Sequence, residues 1–121
     1  MPRVIHFEIG MDNPERAIQF YSKVFGWEIR HLSGVQDYWL ISTGPENQPG
    51  INGGLFKRQV PMNYVNIIDV PSVDSFVDRI GENGGKVVVP KMTIPGVGYL
   101  AYCQDTEQNV FGIMQSDKAL T

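Results

Sequence analysis

The sequence predicts an α+β fold of two βαβββ modules in tandem, forming an open, cleft-enclosing sheet. Three observations carry this reading. Strand-like alternation opens each half of the chain, a capped amphipathic helix follows each opening strand, and the order of elements repeats after roughly 60 residues. The chain has 121 residues, enough for one core of ordinary size and too few for two independent ones. It is therefore read as a single domain, with a first module over about residues 1–58 and a second over about 59–121.

The first strand is expected over residues 4–9. Val4, His6 and Glu8 then fall on one face, and Ile5, Phe7 and Ile9 on the other. The apolar face should meet a helix, while the opposite face carries an imidazole and a carboxylate. Asn13 is a good helix cap, Pro14 suits the first helical position, and Glu15 complements the positive end of the dipole. Ala17, Ile18, Tyr21, Val24 and Phe25 recur at helical spacing, and Gly26 ends the run. Strands follow over 27–32, 37–42 and 51–56, with the breaker-rich stretch 43–50 as a loop.

The second half repeats this order. A strand over 63–69 places Val65 and Ile67 on one face, Tyr64 and Asn66 on the other. Pro71 or Ser72 opens a helix with the apolar stripe Val73, Phe76, Val77 and Ile80, and Gly81, Gly84 and Gly85 close it. Strands follow over 86–90, 99–103 and 110–115, with Pro95-Gly96 as a turn. When the halves are superposed, His6 lies over Tyr64, Glu8 over Asn66, Tyr38 over Tyr99 and Gly54 over Gly112. A single βαβββ unit covers one sheet face with its helix and leaves the other open. Two units joined through their sheets would enclose that face as a ligand cleft.

Composition narrows the class. Hydrophobic residues make up 42% and charged residues 19%, which fits a packed domain rather than a disordered chain. A net charge of −3 with scattered Lys and Arg argues against a nucleic-acid partner. No apolar run approaches the ~18 residues of a membrane span, and the first residues lack the apolar core of a secretory signal. The lone Cys103 excludes an internal disulfide, reads as a buried inert thiol, and fits a reducing cytoplasm.

Several motifs resemble the vicinal oxygen chelate superfamily, which includes glyoxalase I, bleomycin-resistance proteins and extradiol dioxygenases. The opening Asn13-Pro14-Glu15-Arg16-Ala17-Ile18-Gln19-Phe20-Tyr21, followed by Phe25-Gly26-Trp27, is similar to the family's D-x-x-R-A-x-x-F-Y-x-x-x-F-G-W run. Residues 64–70, Gly84-Gly85-Lys86-Val87-Val88 and Pro95-Gly96-Val97-Gly98-Tyr99 add to it, as does Asp105-Thr106-Glu107-Gln108-Asn109, which resembles a D-P-x-G-N turn.

The resemblance implies four metal-ligand positions. His6 matches the first. The remaining three fall on Gly54, on Tyr64 (or Val65 if the register slips by one), and on Gly112, none of which offers the family's His or Glu. With only His6 and its strand neighbour Glu8 left, the expectation is no metal and no cofactor, a divalent metal being the alternative.

The residues expected to line the cleft are His6, Glu8, Tyr38, Gly54, Tyr64, Asn66, Tyr99 and Gly112. His6 is the best candidate for a catalytic base; alternatively His6 and Glu8 only satisfy each other or face solvent. The tyrosines either stack on a ligand or pack in the core. Gly54 and Gly112 admit a ligand or a neighbouring backbone, or mark bulges. Trp27, Trp39 and Phe111 read as core or dimer contacts, and His31, Arg16 and Lys23 as solvated.

The resemblance then implies metal-independent binding of a small, partly aromatic or amphipathic molecule in the cleft of a homodimer. The alternative is a metal-dependent lyase, isomerase or dioxygenase using His6. A third reading is a metal-free enzyme using His6 as base, and a different class is a subunit or regulatory module whose cleft takes a protein partner.

Overall fold

The structure is a computed structural model that describes residues 2–32, 37–58 and 61–117. Its elements are β1 (Arg3–Met11), α1 (Pro14–Phe25), β2 (Glu28–His31), β3 (Tyr38–Ser42), β4 (Gly53–Lys57), β5 (Tyr64–Asp69), α2 (Val73–Glu82), β6 (Lys86–Ile94), β7 (Gly98–Gln104) and β8 (Val110–Ser116). The fold is α+β and contains the expected βαβββ order twice. The chain divides into two compact units, one over His6–Tyr64 and the other from Val65 onward together with the residues up to Ile5.

In the first unit the strands run β2-β3-β4-β1. β1 pairs with β4 in parallel, and the remaining neighbours are antiparallel. Helix α1 starts where the sequence expects it: the Asn13 side chain accepts from the Arg16 N–H at 3.1 Å, and Pro14 occupies the first helical position. It stops at Gly26, whose left-handed φ of 73° is cheap only for glycine. The sheet face beneath the helix carries Ile9, Met11, Ile41 and Leu55, against which Ala17, Ile18 and Tyr21 pack.

The second unit repeats the layout, with β5 parallel to β8 and the order β5-β8-β7-β6. Ser72 caps α2 by accepting from the Ser75 N–H, and Gln115 of β8 takes the Val73 N–H at 3.0 Å. Val73, Phe76, Val77 and Ile80 pack against Ala101, Cys103 and Ile113, as the apolar stripe predicts. β6 runs past Pro90, where the sequence expects a strand to stop. Pro90 is tolerated because β6 is paired on one side only within this unit and shifts register on either side of Val89. Among the described residues, no helix is long and apolar enough to cross a membrane.

Candidate functional site

The face of the first unit turned away from α1 carries every second residue of β1, β3 and β4. Glu8 pairs with Gly54, and Gly54 with Leu40, so these three share that face with His6 and Tyr38. The centre is a chain of hydrogen bonds. The Tyr38 hydroxyl donates to Glu8 Oε2 at 2.5 Å and lies 3.0 Å from His6 Nε2. Glu8 is 1% exposed, a burial that a carboxylate tolerates only with donors aimed at it. Tyr38 supplies one of them at the short distance typical of a hydroxyl on a carboxylate. Burial pushes the His6 pKa below its ordinary 6.5, which favours the neutral ring. Thus His6 and Glu8 do not bond directly, and a phenol stands between them.

Gly54 exists for this arrangement. A Cβ there would run into the Tyr38 ring, with Tyr38 Cε1 only 2.8 Å away. The glycine makes room for a neighbouring aromatic side chain, rather than for a ligand or a bulge. In the second unit a Cβ on Gly112 would overlap Ile67 Cδ1 and touch Leu100 and Tyr102. Neither glycine therefore borders open space.

Pairing corrects the expected faces of the second unit. Gly112 pairs with Ile67 and Tyr102, whereas Glu8 is the partner of Gly54. Ile67 is thus the counterpart of Glu8, and Val65 of His6. Tyr64 and Asn66 lie on the α-helical side of β5. Tyr64, 66% exposed, bonds its hydroxyl to Tyr21 of α1 at 2.9 Å. Burial, helped by that contact, raises the Tyr21 pKa to about 12. Tyr99 packs on the α2 side, and the tyrosine sharing a face with Gly112 is the buried Tyr102. A slip of one residue moves a whole strand to its other face. The caps carried the signal, because aligning Asn13 with Ser72 sets Val65, not Tyr64, over His6.

The ligand set implied for a metal does not fit. Gly54 and Gly112 offer no donor, and the space a carboxylate would need beside them is filled by Tyr38 and Ile67. Among the described residues, no group of three or more His, Cys, Asp or Glu side chains is placed to hold an ion.

A cavity of about 540 Å3 opens in the first unit at His6. Trp27, Ile29, Leu40 and Ile41 give it apolar walls. Ser22, Glu28, Arg30, Ser42 and Asn52 supply polar groups. Trp27 is held by stacking on Tyr21, with ring centroids 5.3 Å apart. Its size lies within the range of small-molecule sites, roughly 300–1,000 Å3. The cavity was not legible in the sequence, since its walls come from four separated segments. Elsewhere, Cys103 is buried and its thiol pKa is raised by burial. His31 is exposed and leans on Trp39, while Arg16 and Lys23 are exposed. Trp27, Trp39 and Phe111 pack partly buried against the two cores.

Two βαβββ units, an opening-strand histidine and an Asn-Pro-Glu-Arg-Ala helix start define the class. The chain belongs to the Glyoxalase/Bleomycin resistance protein/Dioxygenase superfamily, whose family model matches residues 3–113. It is similar to lactoylglutathione lyase of Escherichia coli O157:H7, 24% identical over 116 residues that cover 87% of this chain and 86% of the relative. In fold it is similar to methylmalonyl-CoA epimerase from Mycobacterium tuberculosis, with a TM-score of 0.68 at 12% identity over 96% of this chain and 89% of that one. A superfamily member from Vibrio splendidus 12B01 follows at 0.62 and 13%, covering 96% of this chain and 100% of that one.

Proposed function

We propose that the protein binds a small amphipathic or partly aromatic molecule without a resident metal, using the cavity beside His6 in the first unit. The observation that carries this reading is Tyr38. Its ring covers Gly54 and its hydroxyl ties His6 Nε2 to Glu8, so a phenol fills the space at the family's first two ligand positions. Apolar walls that also carry Arg30, Glu28 and His6 suit a ligand with a flat apolar body and a polar end. The homodimer that the resemblance implies is part of the proposal, and light scattering of the purified chain tests it. A cytoplasmic setting is proposed on the lone cysteine.

A fragment library screened by thermal shift tests the reading. Ligands that stabilise chelator-treated protein, and lose that effect in Leu40→Trp, which fills the cavity, support it. A ligand at a hundredfold excess over its Kd adds about 2.7 kcal/mol of stability. Stoichiometric metal that His6→Ala abolishes would instead favour a lyase or isomerase like the relatives named above. Stabilisation that Leu40→Trp leaves intact would move the site elsewhere.

A further inference from the structure

The hydrogen bonds around His6 specify more than a cavity wall. The Tyr38 hydroxyl has one proton and gives it to Glu8. The 3.0 Å contact between the same oxygen and His6 Nε2 must then run the other way, with His6 Nε2–H as donor. In a neutral ring the proton on Nε2 leaves Nδ1 with a bare lone pair. Nδ1 has no hydrogen-bond partner among the described residues, and it is not a sealed, unpartnered atom. His6 lines the cavity.

We infer that Glu8 and Tyr38 lock His6 in its Nε2–H tautomer, so that the cavity presents Nδ1 as an acceptor and selects ligands carrying an N–H or O–H donor on an apolar, ring-sized body. This rests on the proposed ligand site and names its ligand class. Glu8 and Tyr38 are positioning residues: neither needs to touch the ligand. The orientation follows from polarity. With the Tyr38 hydroxyl donating to Glu8, the phenol turns its lone pair to the ring. Reversing the lock would require the Tyr38 proton to leave Glu8, a side chain that is 1% exposed. Trp27, Leu40 and Ile41 supply the apolar surface beside the acceptor.

Nitrogen-15 NMR of the histidine ring at about pH 8, where the imidazole is neutral, tests the lock directly. The wild type should show His6 protonated on Nε2 and bare at Nδ1. Tyr38→Phe should leave a mixture of tautomers. A ring protonated on Nδ1, or an even mixture in the wild type, overturns the inference without any variant needing to fold.

The ligand class is read with phenol and anisole, which share a ring and differ in the donor. Shifts of the Trp27 indole and the His6 ring should give phenol about three- to tenfold the affinity of anisole. Tyr38→Phe should reduce that ratio. Equal affinities overturn the inference and leave the cavity reading standing. No shift from either probe at millimolar concentration overturns both.

Discussion

Tyr38 is the residue on which the site turns, and two substitutions expose its role. Tyr38→Phe keeps the ring over Gly54 but removes a donor from the buried Glu8. It should cost about 1–3 kcal/mol in urea unfolding. Gly54→Ala puts a Cβ into the Tyr38 ring and should cost a similar ~1–3 kcal/mol. In a Tyr38→Leu background much of the Gly54→Ala penalty should disappear, and a double-mutant cycle would measure that coupling. His6 adds a pH signature. Its folded pKa lies below the unfolded 6.5, so between the two values the unfolded chain binds more protons. Stability should fall as pH drops through about 6.5 and level off below the folded pKa. Urea midpoints against pH should show that slope, flattened in His6→Gln. At this scale the sequence identified His6, Glu8, Tyr38 and Gly54 as candidates. It missed that they form one hydrogen-bonded group, because Tyr38 and Glu8 are 30 residues apart and only strand pairing sets them side by side.

The elements were the most legible level. Asn13-Pro14 and Ser72 start their helices by local chemistry, with a side-chain oxygen accepting an otherwise orphaned N–H. Asn13→Ala and Ser72→Ala should each cost about 1 kcal/mol in chemical denaturation. Should either prove silent, the cap bond does not contribute in solution. Strand ends were less legible. β6 continues through Pro90 because an edge strand with register shifts can spare the missing N–H, which a strand paired on both sides cannot. In β7 the run Tyr99 to Cys103 is nearly all apolar, with no alternation to say which tyrosine faces the helix. Hence Tyr102 escaped notice and Tyr99 was placed on the wrong side.

For the molecule as a whole, the repeated βαβββ order marks the family, and the glycines at two of the implied ligand positions motivate the proposed metal independence. If the proposed metal independence holds, exhaustive dialysis against a chelator should leave the melting temperature unchanged, and metal analysis of untagged protein should give well below one equivalent. A fall in melting temperature that zinc or nickel restores would sink the proposal.

The sequence by itself determined the α+β class, the two modules, both helices with their caps, and the apolar faces beneath them. These follow from local bonding and from periodicity, which neighbouring residues fix together. The spacing of the two caps points to the second module's register, but strand pairing settled it, and only the tertiary structure decided the filling of Gly54 by Tyr38 and the lining of the cavity. Each depends on which strand residues lie opposite one another. Because side chains alternate at every residue, a pairing error of one position exchanges the two faces, and no local signal in β5 or β7 is strong enough to prevent it. The histidine of the opening strand was visible from the start; the phenol that sets its proton was brought to it by the fold.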